Sequence, residues 1–245
     1  MKLKPLLCLI ALTTPMVANA DFLSVSVGGG TWSETPTGNI QKTNDPANVD
    51  LERDFFWEKE SQGYFFASFE HFVPLVPNVK IVGTKMDHAG SGNVTIPFIF
   101  DGNTFTGNVS NTFSIETKDL VAYYEVLDNI VSLDIGLNIR DLSIDYTISS
   151  ASVTVTDSVS KTVPMLYAMV GASPLPDLIF SAEMSYIGFS GSNMTDVIAK
   201  VAYTTSFFLG IEAGYRSHSY KLDDVSSTDA KLDFSGPFVG AYLKF

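Results

Sequence analysis

The chain closes with FSGPFVGAYLKF, residues 234–245, in which two kinds of side chain alternate. One set is wholly apolar and consists of Val239, Ala241, Leu243 and Phe245. The intervening set is more mixed and consists of Phe238, Gly240, Tyr242 and Lys244. Because successive side chains of a strand point to opposite faces, this period of two predicts a β-strand with one face against an apolar surrounding.

A closing strand of this kind, ending in an aromatic residue, resembles that of the small outer-membrane β-barrel proteins of Gram-negative bacteria. The resemblance implies an all-β fold, a transmembrane antiparallel up-and-down barrel, and a place in the outer membrane. It also implies that Val239, Ala241, Leu243 and Phe245 form the signal read by the barrel-assembly machinery. That machinery and the periplasmic chaperones would be partners during biogenesis. The resemblance carries no activity.

The first twenty residues have the features of a Sec signal peptide. A cationic start precedes an apolar run at residues 6–12, and Ala18 and Ala20 frame a cleavage site before Asp21. The only cysteine, Cys8, would leave with this segment, which excludes disulfides and thiolate metal sites from residues 21–245. We therefore expect residues 1–20 to be removed and residues 21–245 to form a single barrel domain.

Composition supports a membrane barrel. Charged residues make up 17% of the chain, below the ~25% that is usual in soluble domains. Barrel strands need only alternate apolar positions, so a chain without a long apolar run can still cross a membrane. The net charge of −12 excludes nucleic acid as a partner, because no basic stripe is present. Outer-membrane lipid and lipopolysaccharide are the expected surroundings of a monomer.

Segments with a period of two predict ten strands, with eight as the alternative if the weak third strand is misread. An even count with short turns on one side predicts that both termini are periplasmic. Long outer loops are expected near residues 33–60, 88–112, 147–162 and 220–230. Asp101-Gly102 predicts a tight hairpin within the second of these loops. Its flanking residues Phe98, Phe100 and Phe105 would contact a partner or pack over the barrel mouth.

The fifth predicted strand changes phase partway along. Val131 to Ile139 carry apolar residues at odd positions, whereas Leu142, Ile144 and Tyr146 are apolar at even positions. A slip of one residue moves a side chain to the other face of a sheet. The sequence therefore predicts a β-bulge near Arg140 and Asp141.

Ten charged residues fall on the predicted lumen face, five acids and five bases. The acids are Glu70, Glu125, Asp134, Glu183 and Glu212, and the bases are Lys80, Arg140, Lys200, Arg216 and Lys244. Unpaired charges in a narrow lumen are costly, and pairing offsets that cost. The pattern predicts a salt-bridged network that plugs the barrel. A narrow channel for ions or small solutes is the alternative.

Aromatic residues near the predicted strand ends indicate two membrane-interface girdles. The outer set is Trp32, Tyr64, Tyr146, Tyr186 and Tyr215. The inner set is Phe72, Tyr124, Phe180, Tyr203, Phe207 and Phe245.

Catalysis has weak support in the sequence. Asp87-His88, and His218 with Asp223 and Asp224, offer acid–histidine pairs at predicted strand ends, but neither reproduces a motif of the ten-stranded omptin proteases. The acids between residues 33 and 60 lack the spacing of a calcium loop and are interpreted as solvated charge. We expect no catalytic residues, no cofactor and no metal site. The predicted function is structural or surface interaction, with the narrow channel and a rim hydrolase as alternatives.

Overall fold

The computed structural model describes residues 23–42, 44–46, 48–225 and 227–245. The predicted cleavage site at Ala18, Ala20 and Asp21 lies outside them.

The regular structure of the described residues is all β. The strands are β1 Leu23–Lys42, β2 Val49–Asp50, β3 Glu60–His71, β4 Asn78–Phe100, β5 Asn103–Asp128, β6 Val131–Ser149, β7 Thr154–Leu175, β8 Leu178–Phe189, β9 Ser192–Thr204, β10 Leu209–Leu222 and β11 Thr228–Lys244. None of the described residues forms a helix with the length and apolar character needed to span a membrane.

Ten of these strands close into one antiparallel barrel. Each pairs with the next in chain order, and β1 pairs with β11 from Ser26–Lys244 to Lys42–Thr228, which closes the sheet. The short β2 pairs with β1 and belongs to the first connection. The prediction of a ten-stranded up-and-down barrel is confirmed, and eight strands is wrong.

The two rims of the barrel differ less in loop length than the sequence suggested. The rim that holds Leu23 and Phe245, here the terminal rim, has turns at residues 72–77, 129–130, 176–177 and 205–208. The opposite distal rim has tight turns at residues 101–102, 150–153 and 190–191, a short connection from Leu222 to Thr228, and a long connection from Lys42 to Glu60. Most of the expected outer loops are therefore strand extensions. Asp101 and Gly102 form the predicted hairpin turn, with φ of 51° and 70°.

The strands stay in register where the sequence predicted a bulge. Pairing of β6 with β5 and with β7 is continuous from Ile139 through Ser149. Ile139 is 40% exposed on the outside, whereas Leu142 is 7% exposed and faces the interior. The prediction of a bulge at Arg140 and Asp141 is wrong because the surroundings of the strand change there, not its register.

Below this level the barrel carries an apolar belt on its outside. The belt includes Val27, Phe65, Ile81, Leu120, Leu137, Ile139, Leu166, Tyr215 and Val239. Bands of this kind face lipid in transmembrane barrels. Of the predicted outer girdle, Tyr186 and Tyr215 are exposed, whereas Trp32 and Tyr146 are buried inside the barrel. The inner girdle residues are exposed on the outside near the terminal rim.

Above the belt the barrel interior is a hydrophobic core, here the distal core. Its largest buried side chains include Trp32, Phe55, Trp57, Met86, Phe100, Phe105, Phe113, Ile148 and Phe234. Two of them, Phe55 and Trp57, come from the connection after β2. The interior of the distal part of the barrel is therefore filled by side chains of the same chain, which form a hydrophobic core like that of a soluble domain.

Candidate functional site in the barrel lumen

The lumen has three levels, each filled by a different chemistry. Next to the terminal rim lies a polar cavity of about 200 Å³, here the basal cavity. Above it, Arg140 and Arg216 are buried with their acidic partners in what we call the arginine layer. The distal core and residues 48–59, here the loop plug, fill the third level.

Arg140 joins two acids across the arginine layer. Its Nε lies 2.6 Å from Oδ1 of Asp119, and its Nη2 lies 2.8 Å from Oδ2 of the same residue. The same Nη2 lies 2.7 Å from Oδ2 of Asp196. Because β5, β6 and β9 supply these three side chains, the contact spans the lumen. A guanidinium suits this position because it donates several hydrogen bonds in a fixed plane.

Arg216 completes the layer from β10. It donates to Oδ1 and Oδ2 of Asp196 at 3.0 and 2.8 Å, and to the Thr84 hydroxyl at 2.8 Å. His218 lies beside this group, with Nε2 3.4 Å from Oδ2 of Asp196 and in contact with Nη1 of Arg140. The two guanidinium groups are matched by two carboxylates, so the layer is neutral without a charge on the histidine.

A chain of alternating charges lies under the arginine layer. Lys80 contacts Glu183 at 2.5 Å, and Lys200 contacts Glu183 at 3.2 Å and Glu212 at 3.1 Å. Hydroxyl groups of Tyr64 and Tyr167 donate to Glu212 at 2.7 Å and to Glu183 at 3.2 Å. All of these side chains except Tyr64 line the basal cavity, on its side nearest the arginine layer. A smaller void of about 40 Å³ continues beside them as far as Arg216.

Acidic groups predominate on the lower wall of the basal cavity. Glu70 accepts a hydrogen bond of 2.7 Å from the Tyr123 hydroxyl. Asp134 also lines the cavity and is 6% exposed, and its carboxyl group makes no hydrogen bond or ion pair with the described residues. Lys244 lines the same cavity from the last position of β11.

The structure brings together six of the ten charged residues that the sequence placed in the lumen. Lys80, Glu183, Lys200 and Glu212 pair with one another, and Arg140 and Arg216 share an acid. Glu70, Glu125, Asp134 and Lys244 lie nearer the terminal rim.

Sequence reasoning missed Asp119 and Asp196, the acids that hold both arginines. Asp196 has the same strand parity as Lys200, and Asp119 has that of Val121 and Tyr123, so strict alternation would have placed both in the lumen.

The two candidate histidine sites are not at a solvated rim. Asp87 and His88 point to opposite faces of β4, and His88 Nε2 lies 2.9 Å from Oε1 of Glu34 instead. The His88 ring stacks on Trp57 with centroids 4.6 Å apart. Glu34 is fully buried, so its interpretation as solvated charge is wrong. These groups lie beneath the loop plug, out of contact with solvent.

His218 is likewise enclosed and does not meet the predicted acids. The amide of Asp223 donates to Ser192 Oγ at 2.9 Å, and the amide of Asp224 donates to Asp229 Oδ1 at 2.7 Å. His218 itself is fully buried against Asp196. Among the described residues, no group of three His, Cys, Asp or Glu side chains is arranged to hold a metal ion.

Polar contacts hold the loop plug in place. Asn111 accepts a hydrogen bond of 2.7 Å from Trp57 Nε1 and donates one of 2.8 Å to the Phe55 carbonyl. Asp45 accepts from the amides of Asp101 and Gly102 at 2.8 and 3.1 Å. The first connection is thereby bound to the tip of the β4–β5 hairpin.

The acid Asp54 shows how the plug uses buried charge. Its carboxylate accepts from Arg53 Nε at 2.9 Å and from the Asp50 amide at 2.9 Å. Burial raises the pKa of Asp54, but the hydrogen bonds from Arg53 and Asp50 outweigh it, and the pKa is lowered overall. Asp54 is thus a structural contact within this loop.

A second concave surface lies on the outside of the distal part of β4–β7. It is a groove of about 800 Å³ whose outward lining includes Lys85, Asp87, Ser114, Asp145, Thr147, Thr156 and Ser158. Hydroxyl groups pair across the strands beside it, Ser143 with Ser160 at 3.1 Å and Thr147 with Thr156 at 3.0 Å. This hydroxyl groove begins directly above the apolar belt.

Comparison with known proteins supports the fold. No family model and no curated protein matches the chain. Among solved structures, the outer membrane protease OmpT from Escherichia coli is similar at 10% identity with a TM-score of 0.52, over 91% of this chain and 96% of that one. The attachment invasion locus protein Ail of Yersinia pestis is 10% identical over 91% of this chain and 98% of that one, with a TM-score of 0.39.

The closing strand has the geometry that the resemblance implied. Val239, Leu243 and Phe245 are exposed on the outer surface, whereas Phe238 is buried in the lumen. With the closed ten-stranded sheet and the apolar belt, the chain has the fold of a small outer-membrane β-barrel.

Proposed function

We propose that this protein is an outer-membrane barrel that does not conduct and that presents its distal part for contacts at the cell surface. The observation that carries the first half is the arginine layer. Arg140, Arg216 and His218 are almost completely buried there, and the loop plug lies above them. A solute crossing the lumen would have to break several charge-assisted hydrogen bonds and then displace an aromatic core.

The test is single-channel conductance of the refolded chain in planar bilayers. We expect a folded, heat-modifiable barrel without steady openings. A variant with Arg140→Ser and Arg216→Ser is not expected to conduct by itself, because the loop plug still closes the distal level. Salt-dependent openings of the unaltered chain that respond to neutralising Glu212 would support the narrow channel instead.

The hydroxyl groove supports the second half of the proposal. Serine and threonine hydroxyls line the groove together with charged side chains such as Lys85 and Asp87, and both kinds of group can hydrogen-bond the hydroxyls of a saccharide. The groove adjoins the apolar belt on the same strands. In an outer membrane with periplasmic termini, the sugars of lipopolysaccharide would lie at this height. The surface contact that we propose is therefore with outer-leaflet saccharide.

Vesicles with and without lipopolysaccharide test this contact. Lipopolysaccharide should raise the unfolding temperature of the unaltered barrel and should raise it less for Thr156→Trp, which fills the groove. An equal rise for both proteins would locate the contact elsewhere.

Catalysis is not part of the proposal. The protease OmpT shares the fold, and this chain has two acid–histidine contacts, His88 with Glu34 and His218 with Asp196. Both are enclosed, with His88 2% exposed and His218 fully buried. Hydrolysis of peptides by the folded barrel, lost on His218→Ala, would overturn this assignment.

A further inference from the structure

We propose that the basal cavity binds a small organic cation, an alkylammonium or guanidinium solute, whose charge is held by Asp134. The cavity lies on the terminal side of the arginine layer, so it is a dead-end site and not a segment of an open pore. This site goes beyond the closed lumen and the surface contact proposed above.

The first support is the state of Asp134. Its neighbours across the strands are Glu125 on β5 and Met169 on β7. Neither can donate a side-chain hydrogen bond to a carboxylate, because the first is an anion and the second is a thioether. The side chain is more than nine-tenths buried, lines the cavity, and makes no hydrogen bond or ion pair with the described residues. A carboxylate buried in this way is unfavourable without a donor, and the cavity is where a donor can enter.

The second support is the charge of the lining. Lys80 and Lys200 are committed to Glu183 and Glu212, and Glu70 is held by the Tyr123 hydroxyl. The charged lining residues are four acids and three lysines, namely Glu70, Asp134, Glu183, Glu212, Lys80, Lys200 and Lys244. With all seven groups ionised, the cavity has one negative charge in excess, which a monovalent cation would neutralise.

The third support is the composition of the wall, which favours an organic cation over a metal ion. No group of three metal ligands is present among the described residues, as noted above. Aromatic rings of Phe66, Tyr123, Tyr167 and Tyr242 line the cavity. The Lys200 ammonium already lies 5.7 Å from the centre of the Phe66 ring, so these walls accommodate an ammonium group.

The size of the cavity limits the ligand. About 200 Å³ is below the ~300–1,000 Å³ of pockets that hold drug-sized molecules. It corresponds to about seven waters at ~30 Å³ each. A single ammonium or guanidinium on a short carbon chain fits this space, whereas a peptide or an oligosaccharide does not.

Calorimetric titration of the detergent-folded barrel is the first test. Butylammonium and guanidinium are the probes, and butyrate is the anionic control of the same size. We expect saturable binding of the cations only, weakened about tenfold or more by Asp134→Asn, which removes a charge-assisted hydrogen bond. Asp141→Asn is the matched control, since it makes the same change on β6 at an exposed position, and it should leave binding unchanged.

Thiol chemistry is the second test. It can be carried out in a chain that retains Asp134, so it does not require that the Asp134→Asn variant folds. In a Cys8→Ser background, Met169→Cys places a single thiol opposite Asp134. A cationic methanethiosulfonate should react faster than an anionic one, and saturating butylammonium should protect the thiol. Loss of that cation preference in Asp134→Asn supports the site.

Two outcomes would overturn the proposal. One is that butylammonium neither binds nor protects the thiol in the chain that retains Asp134. The other is that cation binding survives Asp134→Asn unchanged. Either result would mean that Asp134 is satisfied in another way, for example by carrying a proton. The conductance measurement is independent of both, so failure of this site leaves the closed-lumen proposal standing.

Discussion

The two halves of this barrel are built from the same ten strands but have opposite distributions of apolar and polar side chains. Between the terminal rim and Arg140, apolar side chains point outward and charged ones inward. Beyond Arg140 the outward face carries hydroxyl groups, and the interior is an aromatic core. The lower half is arranged for lipid outside, whereas the upper half is arranged for water outside. The comparison teaches that strand parity alone does not tell which face is apolar.

The halves also close the lumen by different means. The lower half uses ion pairs, whose strength depends on each partner remaining in place. The upper half uses buried apolar area, which is less directional. Substitutions should therefore act differently in the two regions.

The largest effect is expected in the arginine layer. Arg140→Met would leave Asp119 with an uncompensated charge, since Asp196 still has Arg216, and should lower the free energy of unfolding by about 3–5 kcal/mol. Urea titration in phospholipid vesicles measures it. Lys118→Met is the control, because that lysine is exposed at the adjacent register position. Equal stability of both variants would mean that the layer does not stabilise the barrel.

The distal core should respond to loss of apolar volume. Phe55→Ala removes a fully buried ring and should destabilise the distal half by about 3–5 kcal/mol. Proteolysis or amide exchange should show faster opening beyond Arg140, with the lower half still protected. Ile96→Ala, at a side chain that is 80% exposed, is the control. Loosening of both halves together would show that they fold as one unit.

A charge on the outer face should separate the two halves directly. Leu137→Arg places a charge in the apolar belt and should cost about 2–4 kcal/mol in vesicles. Thr147→Arg places the same charge on the outward face of the same strand, above the belt, and should change stability by only about 0.5 kcal/mol. Equal penalties at the two positions would mean that the belt extends further than its apolar residues do.

The smallest effect is expected from pH at the loop plug. The pKa of Asp54 is lowered in the folded state, so its contribution is present above the unfolded value of 3.8 and is lost as pH falls below it. Protease sensitivity of the plug should rise in that acid range. Asp54→Asn should weaken this dependence, whereas Asp223→Asn at the distal turn should not alter it.

The closing strand and the alternating segments were enough to predict an antiparallel barrel of ten strands. Alternation is a local property of neighbouring residues, so it survives without knowledge of contacts. The same alternation placed Lys80, Glu183, Lys200 and Glu212 in one lumen, where they do pair. It could not tell which acid each base would meet, because that depends on strands distant in sequence.

By itself, the sequence determined the closed sheet and its polar interior near the terminal rim. Only the tertiary structure decided where the surroundings change from lipid to water, because that boundary is a property of the whole barrel and not of one strand. For this reason the change of apolar phase after Arg140 was interpreted as a bulge, although the register is continuous. The burial of the loop plug likewise depends on the distal walls that enclose it. Phe55 and Trp57 are buried only because β4, β5 and β6 extend beyond the apolar belt and enclose them.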